Sequence, residues 1–136
     1  MPKTRILVPM DGSESALRAL KHAARTQDAE LLVLNVQAAL PSSRFVTRDM
    51  IAEHQKRHAE EALAPVLALI KRGKLNARTA SVVGEPAATI VEYAVKNRCA
   101  AIVMGSRGHG LISGLVLGSV AVKVIHLAEC PVTVVK

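Results

Sequence analysis

Ala100-Ala101-Ile102-Val103-Met104-Gly105-Ser106-Arg107-Gly108 is the stretch on which the fold turns. An unbroken aliphatic run of this length reads as a strand buried on both faces, the kind found in parallel sheets covered by helices. It feeds a glycine-punctuated loop, after which Gly118-Ser119 opens an apolar helical pattern. Such a strand–loop–helix unit gathers bare backbone N–H groups at a helix N-terminus, where the helix dipole favours an anion. Glycines also serve ordinary turns, so the motif alone is weak. The connection is nevertheless long for a compact domain, and long connections are usually functional or disordered.

Working outward, four more aliphatic runs read as strands: residues 5–10, 31–36, 77–83 and 132–135, with Pro131 at the first position of the last, where its missing N–H matters least. Helical patterns separate them. Asp11-Gly12-Ser13 supplies a turn and an N-cap for a helix whose core face carries Leu17, Leu20 and Ala24. A long amphipathic helix then places Ile51, His54, His58, Ala62, Val66 and Ile70 on one stripe, with a kink expected at Pro65. Gly84-Glu85-Pro86 starts a third helix, which turns Ile90, Tyr93 and Ala94 inward, and a fourth runs over about residues 119–128. Strands alternating with helices predict a doubly wound α/β fold: a five-stranded parallel sheet of order 3-2-1-4-5 with helices on both faces. In such sheets ligands bind beyond the C-terminal strand ends where the order reverses, which puts Asp11 and Gly105 side by side.

At 136 residues the chain is expected to form one domain, 1–136, with half its residues hydrophobic. The apolar content is almost all aliphatic. Phe45 and Tyr93 are the only aromatics, so stacking platforms for nucleobases are missing and a base must be held by aliphatic walls. The formal charge of +7 raises nucleic acid as a partner, but the charges are scattered. Their one cluster, Lys71-Arg72-Gly73-Lys74, sits where a helix should end and where cations complement its dipole, so nucleic-acid binding is not the favoured reading. No apolar run reaches membrane-spanning length, and the first residues lack a secretory pattern. Two cysteines, Cys99 and Cys130, are too few for a disulfide framework and lack metal-site spacing, which fits a reducing cytoplasm. Both precede strands expected to be neighbours, and they read as small buried thiols. His54 and His58, one helical turn apart, lack the third ligand a metal site needs and read as half-buried helix residues.

Common nucleotide fingerprints are absent: neither a Walker loop nor a G-x-G-x-x-G turn occurs after the first strand. A phospho-receiver domain would need an Asp at the end of strand three, where this chain has Val82-Val83-Gly84. What remains is Gly105-x-x-Gly108, nine residues, then Gly118-Ser119, together with residues 6–13, Gly84-Glu85-Pro86 and the closing run from Cys130 to Val135. In this order and spacing the chain resembles the universal stress protein family along essentially its whole length. It is similar to the members that carry G-x2-G-x9-G-[ST] and bind ATP. That resemblance implies a Rossmann-like fold of the adenine nucleotide alpha hydrolase type and a cytoplasmic, homodimeric, ATP-dependent switch in the stress response. It implies that Asp11, with Pro9 and Met10 around it, contacts the nucleoside and that Val36 presents its backbone to adenine. Met104, Gly105, Ser106, Arg107 and Gly108 would approach ribose and the first phosphate, and Gly118, Ser119 and Val120 the outer phosphates.

Elementary chemistry adds further expectations. N–H donors concentrated near Gly118 favour the triphosphate end, with Mg²⁺ bridging phosphate oxygens, and Gly118 is expected to need positive φ. The apolar closing strand is expected to be a sheet edge that pairs with its copy in a second subunit. No catalytic residue stands out, so at most slow ATP hydrolysis is expected. The readings from other classes are a nucleotide-free dimeric module that binds an unidentified protein and a phosphoryl-group hydrolase.

Overall fold

The computed structural model describes residues 3–106 and 117–136. Its elements run β1 (Thr4–Pro9), α1 (Glu14–Ala23), β2 (Ala29–Gln37), α2 (Arg48–Lys71), β3 (Ala77–Val83), α3 (Pro86–Lys96), β4 (Ala101–Gly105), α4 (Ser119–Leu127) and β5 (Val132–Val135). The strands form one parallel sheet of order β3-β2-β1-β4-β5, as the alternating pattern predicts.

Parallel strands have no solvent face, so successive residues bury on opposite sides. Ile6 and Val8 of β1, Leu31 and Val33 of β2 and Val103 of β4 join Ala16, Ala19, Leu20 and Ala23 of α1 and Leu63 and Val66 of α2. Leu7, Leu32, Leu34, Ile102 and Met104 turn the other way, onto Ala87, Ile90 and Ala94 of α3 and Ala121 and Val124 of α4. The alanines of α1 bring that helix unusually close to β4. A Cβ on Gly105 would clash with Ser15 Oγ and lie 2.7 Å from both the Ala16 nitrogen and the Ser15 carbonyl carbon. Glycine is therefore required there by packing, independent of any ligand.

Several expectations are corrected. Ala24 is not a core residue: it is the exposed C-cap of α1. His54 and His58 are exposed, not half-buried, with ring centroids 4.2 Å apart. Only the second half of α2 is buried, through Ala62, Leu63 and Val66. A helix of 24 residues is about 36 Å long, whereas β3 spans about 23 Å, so the first turns overhang the sheet. Helix α2 continues through Pro65 and ends in the basic cluster, with Lys71 in its last turn and Gly73 at φ 72°. Cys99 and Cys130 are partly exposed, not buried.

Candidate functional site

Three helices begin near the C-terminal strand ends, and their first turns differ in a telling way. Ser13 caps α1, its Oγ accepting from the Ala16 N–H at 3.2 Å. Glu85 caps α3, accepting from the Ala88 N–H at 2.7 Å and the Ala87 N–H at 3.4 Å. Gly118, the N-cap of α4, offers no side chain, so the first N–H groups of that helix are left for another acceptor.

The turn after β1 is built by its own residues. Asp11 Oδ1 accepts from the Ser13 N–H at 2.8 Å, and Gly12 sits at φ 84°, where a Cβ would be strained. Behind it, buried Asn35 of β2 donates from Nδ2 to the Met10 carbonyl at 2.9 Å. Asn35 Oδ1 accepts from Ser81 Oγ at 3.2 Å and from Gln37 Nε2 at 3.1 Å, which ties the turn to β3. The end of β4 is pinned as firmly. The Ser106 N–H donates to the Val135 carbonyl at 2.8 Å, and the Ser106 carbonyl accepts from the Gly118 N–H at 2.7 Å.

Between these ends lies a cleft of about 370 Å³. Pro9, Met10, Asp11, Val36, Met104, Gly105, Ser106, Gly118, Ser119 and Val120 all line it, as do Ser13, Leu34, Pro86 and Ile90, which the sequence reading did not assign to the site. Arg107 and Gly108 lie outside the described residues. Asp11 is the sole ionisable group among the described residues of the lining. Ser106 is 1 % exposed, and among the described residues its Oγ has no hydrogen-bond partner. A buried hydroxyl without a partner is costly and points to a missing acceptor or donor.

Two details of the expected phosphate site are corrected. The Gly118 N–H is occupied by the Ser106 carbonyl, so the donors without an acceptor among the described residues are those of Ser119, Val120 and Ala121. Gly118 sits at φ −78° and ψ 164°, extended backbone that needs no glycine. The conformation follows from its role as N-cap, which takes β-region angles.

A doubly wound sheet with an aliphatic cleft at its switch point, bordered by the start of α4, places the chain in the doubly wound α/β class. Within that class the chain belongs to the universal stress protein family, whose model matches residues 3–136. It is 37 % identical over 138 residues to a universal stress protein of Methanocaldococcus jannaschii, covering 97 % of this chain and 81 % of the relative. Among solved structures it is similar to the Archaeoglobus fulgidus universal stress protein in complex with dAMP, at TM-score 0.72 and 28 % identity over 100 % of both chains. It is also similar to a universal stress protein in complex with cAMP, at TM-score 0.63 and 25 % identity over 100 % of this chain and 99 % of the other.

Proposed function

We propose that the cleft binds an adenine nucleotide and that the chain acts as a nucleotide-dependent homodimeric switch in the cytoplasmic stress response. The observation that carries the reading is the Ser106 hydroxyl, without a partner among the described residues, beside an α4 start that has no side-chain cap among them, at one cleft with aliphatic walls. The two solved relatives named above hold dAMP and cAMP, which supports a purine nucleotide as the guest.

In this reading Val36, Leu34 and Ile90 give the base an apolar wall, and the Asp11 carboxylate accepts from a ribose hydroxyl or the exocyclic amine. Ser106 donates to the sugar or first phosphate. The N–H groups of Ser119 and Val120 face the outer phosphates along the α4 dipole. ATP is the proposed physiological ligand, with Mg²⁺ neutralising phosphate oxygens because the described lining residues include no Lys or Arg. Asp11 already holds the Ser13 N–H and is poorly placed to activate water, so the bound nucleotide signals by occupancy, with hydrolysis slow at most.

The output of the switch is proposed to be the recognition of an unidentified protein by a dimer paired along the outer edge of β5. Calorimetric titration of desalted protein with AMP, ATP and cAMP, with and without Mg²⁺, tests the site. One nucleotide per chain, with ATP tightest in Mg²⁺, is expected; absence of binding to all three overturns the reading and favours a nucleotide-free module. Sedimentation as a monomer at micromolar concentration overturns the dimer.

A further inference from the structure

The second feature of interest lies at the opposite end of the sheet. A cavity of about 230 Å³ opens where β4 and β5 begin, lined by Val91, Ala94, Ile102 and Ala128 and by both cysteines of the chain. Its position follows from the register. β4 and β5 pair in parallel from Ile102↔Val132 onward, and the Ile102 N–H donates to the Pro131 carbonyl at 3.0 Å. Continued backward, that register sets Cys130 beside Ala100, one position from Cys99. Cys99 is held in place from both sides: its N–H donates to the Ala94 carbonyl at 2.9 Å, and the next N–H, of Ala100, donates to Arg5 at 2.8 Å. The two thiols pack against the same core cluster and remain open to the cavity.

We propose that Cys99 and Cys130 are an oxidation site, at which a hydroperoxide closes a reversible disulfide within one chain, tying the α3–β4 turn to the α4–β5 turn. Cys130 is the attacking sulfur. Burial raises both thiols above their ordinary 9.0, but the Cys130 thiolate is partly compensated by its own backbone N–H. Cys99 is raised by burial first and then by the charge of Cys130, with Arg5 opposing and Glu30 reinforcing; Arg98 and Glu129 border the cavity. In the first step Cys130 gives up its proton, its sulfur attacks the distal peroxide oxygen, the O–O bond breaks, and an alcohol or water leaves. Cys130 is then a sulfenic acid, oxidised by two electrons as the peroxide is reduced by two. In the second step the Cys99 sulfur attacks the Cys130 sulfur, the S–O bond breaks, the S–S bond forms, and water leaves with the Cys99 proton. A thiol raised above its ordinary range is slow to react, so the site answers to sustained rather than trace oxidant.

The test exposes the purified chain to hydrogen peroxide and follows intact mass, non-reducing electrophoresis and thermal unfolding. The expected product is a monomeric chain lighter by two hydrogens. Its Tm is raised on the order of 5–10 °C, the size expected for closing a loop of roughly 30 residues in a domain of this length, and dithiothreitol restores the starting mass and Tm. In Cys99→Ser the oxidised product gains oxygen at Cys130 instead of losing hydrogens. Chains joined to one another, oxygen added to Cys130 of the unaltered protein while Cys99 stays free, or two thiols still titrating when a control dithiol is fully oxidised would each overturn the proposal.

Discussion

Replacing Ser106 by Ala should move stability and affinity in opposite directions. The hydroxyl is 1 % exposed, and among the described residues it has no partner. Leaving a neutral polar group buried and unpaired costs about 1–3 kcal/mol, and Ser106→Ala removes that cost from the ligand-free fold while adding a void smaller than a methyl group. The ligand-free variant should therefore be more stable by about 1 kcal/mol, a Tm rise of roughly 3 °C for a chain of this length. Nucleotide affinity should fall, because the proposed complex gives the same hydroxyl its partner. Losing one hydrogen bond to a charged or sugar oxygen is worth about 1–3 kcal/mol, or roughly 5- to 150-fold in Kd. The assay is paired: thermal unfolding of nucleotide-free protein, and calorimetric titration with AMP and ATP. A variant that is less stable and binds as tightly as the parent would refute the reasoning, since Ser106 would then hold the fold together and ignore the ligand.

Gly105→Ala should cost stability heavily, about 2–4 kcal/mol, because the added Cβ meets backbone atoms of α1 at 2.7 Å and neither side can yield; the midpoint of urea unfolding measures it. Gly118→Val should leave the circular dichroism unchanged, since φ −78° suits any residue, and weaken ATP binding by about tenfold or more by crowding the open start of α4; equal affinity in the variant counts against a phosphate there. For Cys99 the folded thiol is raised above 9.0 by burial, so the unfolded chain ionises first as pH rises. Its contribution to stability is complete below pH 9.0 and is lost as pH climbs through the folded value. Urea midpoints of the parent should thus drop more steeply than those of Cys99→Ala above pH 9.0, and parallel curves would exclude the thiol as the cause.

The fold was legible because its signals are long and redundant. Five aliphatic runs, each punctuated by Gly, Pro or Ser, specify buried parallel strands, and the five strands and α4 lie within two residues of their expected bounds. The cleft was legible through the residues that flank strand ends, since Asp11, Val36, Gly105, Ser106 and Gly118 share it in the structure. Asn35 was not. Sitting inside the run Leu31 to Val36, it was absorbed into a buried strand, although a lone amide among aliphatics is itself a signal that some backbone group needs a partner. Its partner, the Met10 carbonyl, is 25 positions away and depends on the register of β1 on β2, which periodicity does not contain. The exposure of His54 and His58 escaped for a related reason. An amphipathic stripe tells which side of a helix is apolar, while the length of sheet beneath it decides how many turns are covered.

Ser106 occupies an unusual mechanical position. Its amide hydrogen holds the last residue of β5, its carbonyl holds the residue before α4, and its hydroxyl is buried beside the cleft with no hydrogen-bond partner among the described residues. One residue thus belongs to a cleft wall, a helix start and the terminus of an edge strand at once. A force on the hydroxyl would pass through a single peptide unit to a strand that has no second neighbour among the described residues, with no chain of side chains in between. Under the proposed nucleotide binding, thermodynamic linkage would make the traffic two-way: a partner that grips the edge strand would change the grip on the ligand by the same factor that the ligand changes it.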